Sequence, residues 1–89
     1  MTFTILLHPK ASRELNKISE PMRSRIRKKL KELRYKPERL GKKLRYTDFW
    51  SLRIGDHRAI YEIKRESKRV IILFVGHRQN VYNDFSRLF

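Results

Sequence analysis

Phe49-Trp50-Ser51-Leu52-Arg53-Ile54-Gly55-Asp56-His57-Arg58-Ala59-Ile60-Tyr61-Glu62-Ile63 reads as two strands joined by a two-residue turn. β-Branched and aromatic residues crowd both sides of Gly55-Asp56, and this pair supplies the backbone freedom a tight hairpin requires. The turn sets the register: Ile54 opposite His57, Arg53 opposite Arg58, Leu52 opposite Ala59, Ser51 opposite Ile60. Because side chains alternate along a strand, Leu52, Ile54, Ala59, Tyr61 and Ile63 share one face, and Arg53 and Arg58 share the other. The apolar face needs a cover.

The flanking sequence provides one. Thr2 to Leu7 alternates and then runs apolar, a first strand. Pro9 opens a helix with Ala11, Leu15 and Ile18 on one side. Pro21 opens a second, capped by Ser19 or Glu20, whose stripe is Met22, Ile26, Leu30 and Leu33, and Pro37 ends it. Downstream, Glu66-Ser67 is the centre of a turn, and Val70 to Val75 is apolar on both sides, as a central strand is. After Gly76 the chain becomes irregular or weakly helical. The expected fold is α+β and one domain over residues 1–89: an N-terminal strand, an antiparallel helical hairpin, then a three-stranded antiparallel meander. Together these form a four-stranded sheet with the helices on one face. Pairing Lys64 with Arg69 would set Val75 opposite Arg58 and bring His77 to the same side, one step further along.

The 89 residues include 23 Lys and Arg against 9 Asp and Glu, a formal charge of +14. Twelve of the bases and only two acids fall between Pro21 and Arg45, so the field is concentrated, which points to a polyanionic partner. No cysteine is present, which excludes disulfides, thiolate metal sites and a Cys nucleophile. No apolar run approaches the ~18 residues of a membrane span, and the first ten residues lack the pattern of a signal peptide. The expected location is the cytoplasm, with no membrane partner. There is no Gly-rich phosphate loop, His-x-x-x-His spacing, carboxylate pair or nucleophile elbow. Neither a metal nor a cofactor is expected.

Two arginines facing each other across a ladder have Cβ atoms about 4.5–5.5 Å apart. At ~6 Å between charges and an effective dielectric of 20 they repel by about 3 kcal/mol, less if both heads swing into water. A phosphate between them removes the conflict, because guanidinium presents planar, permanently charged, bidentate donors. Arginine does not exchange protons near neutrality, whereas imidazole does. Arg53 and Arg58 are therefore expected to bind an anion, and His77 and Arg78 at the end of the last strand, joined by a Tyr or Lys, would supply the proton transfers needed to cut RNA through its own 2′-hydroxyl. Trp50 and Tyr61 fall on the core face and are expected to pack. Phe49, Tyr46 and Tyr82 are the candidates for stacking on an unpaired base. Lys28, Lys29, Lys42, Lys43 and Arg45 are the expected phosphate contacts.

The order of elements, with Lys43-Leu44-Arg45, the Phe49–Tyr61 stretch and the ending Val75-Gly76-His77-Arg78-Gln79-Asn80-Val81-Tyr82, resembles the RelE/ParE toxin superfamily, on its RelE and YoeB side. The resemblance covers nearly the whole chain. It implies a toxin of a type II toxin–antitoxin pair that cleaves mRNA in the ribosomal A site without metal, leaving a 2′,3′-cyclic phosphate and a 5′-hydroxyl. It also implies an acidic RelB-like antitoxin bound in a hetero-oligomer. By position Arg53 matches a basic residue of the active face, Arg58 the phosphate-binding arginine and Arg78 a second arginine. His77 and Tyr82 match tail residues used for proton transfer or stacking. Ser51 stands where RelE carries a lysine, and the glutamate of YoeB-like members has only Glu38 as an approximate counterpart. The general base is expected to be His77, with Tyr82 as the alternative and Lys43 third. A ParE-like inhibitor of DNA gyrase and a non-catalytic RNA- or ribosome-binding module are the competing readings.

Overall fold

Proline and a few side-chain caps decide where the helices begin. In the computed structural model, which describes residues 2–77 and 81–88, strand β1 (Thr4–Leu7) leads into α1 (Pro9–Asn16). The His8 imidazole accepts a bond from the Lys10 amide at 3.1 Å, and Pro9 sits where no amide proton is needed. Helix α2 (Met22–Glu32) is held at its start by Glu20, whose carboxylate accepts from the Ser24 amide at 2.8 Å and the Ser24 hydroxyl at 2.7 Å. Those two bonds hold the Glu20 carboxyl below the usual carboxylate range. Helix α2 ends at Glu32, before Pro37, where the Leu33 amide reaches back to the Leu30 carbonyl, and Pro37 instead begins a further short helix, α3 (Pro37–Leu40).

The remaining elements are β2 (Lys42–Lys43), β3 (Phe49–Ile54), β4 (His57–Lys64), β5 (Arg69–His77) and α4 (Val81–Leu88). They form one sheet in the order β1-β5-β4-β3-β2, with β1 parallel to β5 and the other pairs antiparallel. The sheet has five strands where four were expected. The addition is β2, two lysines paired with Ser51 and Trp50. Periodicity cannot mark so short a strand, and its lysines also guard the sheet edge against further pairing.

Helices α1 and α2 cover one face. Ala11, Leu15, Ile26, Leu30 and Leu33 meet Leu52, Ile54, Ala59, Tyr61, Val70, Ile72 and Val75 there, all buried. Each fully buried aliphatic side chain contributes about 1.5–3 kcal/mol. The tail, expected irregular or helical, is helix α4, and it lies on the other face, where Val81 and Phe85 join Ile60, Leu73 and Phe74. No helix among the described residues is long and apolar enough to cross a membrane.

Candidate active site

Gly55 has φ +58° and no positive φ follows at Asp56, the sign pattern of a type II′ hairpin turn. The resulting register sets Arg53 opposite Arg58 and Ser51 opposite Ile60. Ile60 belongs to the cluster under α4, so Ser51, Arg53 and Arg58 all point to the α4 side of the sheet. Arg53 is exposed and donates from Nε to the Gly55 carbonyl at 3.3 Å. Neither arginine is in an ion pair among the described residues.

Arg58 is half-buried. Its Nη1 donates to the Tyr82 hydroxyl at 3.2 Å, and its guanidinium carbon lies 5.7 Å from the centre of the Tyr82 ring. The Tyr82 hydroxyl in turn donates to Ser51 Oγ at 3.1 Å. Arg58 Nε is buried and has no partner among the described residues. The three side chains form a chain of polar contacts, with the buried Nε–H of Arg58 unpartnered among the described residues.

Gly76 makes this arrangement possible. It pairs with Arg58, and a Cβ there would come within 3.1 Å of Phe74 Cε2 and 3.5 Å of Val81 Cγ2. Without that Cβ the start of α4 settles on the sheet, and Tyr82, next to the buried Val81, arrives beside Arg58. Phe85 clamps the other end of the helix, its ring edge-on to Phe49 at 5.2 Å and 82°.

The expectation that His77 would join Arg58 fails for a local reason. Lys64 does pair with Arg69, but the register slips between Ile60 and Tyr61, so that Arg58 faces Gly76 instead of Val75. A bulge inserts one residue and turns every later side chain to the other face. His77 therefore stands opposite His57 on the helical-hairpin side, with the two rings 5.7 Å apart and nearly perpendicular. Arg78 lies outside the described residues.

The expected RNA contacts are scattered. Lys28 and Lys29 sit on α2, on the opposite face from Arg58, and Lys29 pairs with Glu32 at 3.3 Å. Lys42 pairs with Ser51, on the same face as the arginine site, Lys43 pairs with Trp50 and points to the other face, and Arg45 and Tyr46 lie in the loop before Phe49. Phe49 is packed on Phe85 and so is not free to stack. Glu38 is occupied by an ion pair with Arg65, which holds its carboxyl below the usual range. Sequence reasoning treated Ser51 only as a missing lysine. Its role as acceptor for Tyr82 depends on a contact 31 residues apart, for which no local pattern exists.

Comparison with known proteins bears on the fold and the family. The family model described as "ParE toxin of type II toxin-antitoxin system, parDE" matches residues 5–82. Among curated proteins no match is found. The toxin–antitoxin complex RelBE2 from Mycobacterium tuberculosis contains a chain with 31% identity and a TM-score of 0.82, covering 88% of this chain and 93% of that one. The archaeal RelE–RelB complex from Pyrococcus horikoshii gives 27%, a TM-score of 0.76, and coverage of 88% and 97%. Free Escherichia coli RelE, as a double arginine variant, shares the fold at 21% identity with a TM-score of 0.82, over 100% of this chain and 99% of that one. A family match across nearly the full length, joined to that identity with the mycobacterial chain, means that the chain belongs to the RelE/ParE superfamily of type II toxins.

Proposed function

We propose that the protein is a ribosome-dependent endoribonuclease toxin that cuts mRNA in the A site. The carrying observation is the cluster on the α4 side: two arginines in no ion pair among the described residues, and a tyrosine hydroxyl 3.2 Å from one of them. A phosphodiester laid between Arg53 and Arg58 has its charge neutralised, which favours attack by the neighbouring 2′-hydroxyl. The O2′–P bond forms as the P–O5′ bond breaks. The 2′ proton passes to water, and Tyr82 donates its hydroxyl proton to the leaving 5′-oxygen. Tyr82 is the proton-transfer group of this site, acting as the acid, because it touches Arg58; His77, expected as the base, belongs to the other face, and water takes the 2′ proton instead. The step uses no metal. An acidic RelB-like antitoxin is the expected cytoplasmic partner in a hetero-oligomer. The chain's charge of +14 and the toxin–antitoxin complexes of its relatives support it.

Message cleavage on programmed ribosomes tests the reading. Arg58→Ala is expected to lower the single-turnover rate by about 10²-fold or more, in the range set by loss of one transition-state donor. Tyr82→Phe lowers it by about 10²-fold, the smaller end of general acid catalysis. His77→Ala stays near wild type. Wild-type rates in Arg58→Ala sink the proposal. The family model's ParE name favours a gyrase-directed toxin as the second reading, which predicts no message cleavage and inhibited DNA supercoiling in the presence of gyrase.

A further inference from the structure

Tyr46 is 97% exposed and has φ +63°. A bulky non-glycine residue is uncommon in that left-handed region. The turn around it is nonetheless firmly tied. The Thr47 hydroxyl donates to the Leu44 carbonyl at 2.9 Å and accepts from the Phe49 amide at 3.1 Å, and the Leu44 amide reaches the Phe49 carbonyl at 2.9 Å. None of these bonds uses the Tyr46 side chain. The turn holds the ring out in solvent, where it covers no apolar surface. Lys43, Arg45 and Asp48 line one open hollow with it, and Lys42 sits further along the edge strand beside Ser51. Lys42, Lys43 and Arg45 are all exposed and in no ion pair among the described residues.

We infer that this tip is a second RNA contact, in which Tyr46 stacks on an unpaired nucleobase while Lys43 and Arg45 hold the adjoining phosphates. An aromatic platform among mobile cations is how single strands are gripped regardless of sequence. A protein partner fits less well, because lysine is depleted at the centres of protein interfaces. The tip lies at the opposite end of β3 from Arg53. Four residues of strand alone, from Phe49 to Arg53, span about 13 Å. The base held here is therefore several nucleotides from the one being cut, or on another RNA. The inference shares with the nuclease reading only the premise that RNA is the ligand.

Fluorescence anisotropy with a labelled oligouridylate and a labelled RNA duplex of equal length tests it, in an Arg58→Ala background so that cleavage plays no part. Tyr46→Ala is expected to weaken oligouridylate binding by about tenfold, the lower range of one base–aromatic stack, and duplex binding by less than about twofold. Tyr46→Trp retains the affinity, and its emission is quenched when the oligouridylate binds. Equal losses on both RNAs, no loss on either, or no oligouridylate binding at low salt would each overturn the inference. So would an unchanged RNA affinity together with weakened binding to a protein partner. Each readout stands whether or not the protein cleaves message.

Discussion

His57 faces Ile54 across the hairpin and so shares its side of the sheet with the helices. Burial holds its pKa below the ordinary value, the neighbouring His77 lowers it further, and Asp56 acts weakly in the opposite sense. Arg25 of α2, whose guanidinium lies where a Gly55 side chain would point, and Arg53, bonded to the Gly55 carbonyl from the other face, are further charges at this end of the sheet. Nδ1 of His57 is buried and has no partner among the described residues. A folded-state pKa below the unfolded value of 6.5 means that the fold prefers the neutral ring. This contribution to stability is complete above that unfolded value and is lost as pH falls through the lower, folded one. Urea denaturation between pH 7.5 and pH 5 is expected to show decreasing stability in the wild type and a flatter profile in His57→Gln. The carboxylates of Glu20 and Glu38 are also held low, but their stabilisation is lost only below the ordinary carboxylate value of 4.5, so the two windows separate. A His57→Gln profile as steep as the wild type would show that the sensitivity lies elsewhere.

Helix α4 has eight residues, too few to be stable without packing. Its anchors are Val81 over Gly76 and Phe85 against Phe49. Truncating a buried phenylalanine to alanine costs about 3–5 kcal/mol in a closed core. A terminal helix can instead detach, leaving the main core intact. Phe85→Ala is therefore expected to abolish hydrogen-exchange protection in residues 81–88, leave β3 to β5 protected, and reduce message cleavage at least tenfold, as Tyr82 leaves Arg58. Loss of protection throughout the sheet would show that α4 belongs to the global folding unit. Much of this element-level picture was legible in the sequence: Gly55-Asp56 set the β3–β4 register, and the stripes of α1 and α2 marked the covered face. The bulge on β5 was not, because Val70 to Val75 is apolar without alternation, and a run with no period carries no mark of a one-residue slip. That slip alone separates His77 from Arg58. The placement of Tyr82 was equally hidden, since it depends on the missing side chain of Gly76 and on a helix too short to announce itself.

On the scale of the whole molecule, the charge of +14 is divided by the sheet into two populations. Lys28 and Lys29 belong to the helical layer, while Arg53 and Arg58 point to the α4 side, Lys42 shares that side beside Ser51, Lys43 lies beside Trp50 at the sheet edge, and Arg45 lies in the loop before β3. One RNA strand can run from the arginine pair to the Tyr46 tip without crossing the sheet, whereas it must pass around an edge to reach Lys28. The salt dependence of binding counts the phosphates engaged, with a slope of about −0.7 per contact for single strands. Replacing Lys42, Lys43 and Arg45 together by Gln removes up to three contacts and should make the slope shallower by about 2. Replacing Lys28 and Lys29 by Gln should leave the oligouridylate slope unchanged, although the net charge falls nearly as far. If the two replacements flatten the slope equally, RNA responds to the overall field and not to a track on one side, and the assignment of this surface fails. If only the helical pair matters, the strand lies across α1 and α2, and Arg53 and Arg58 lose their claim to the scissile phosphate.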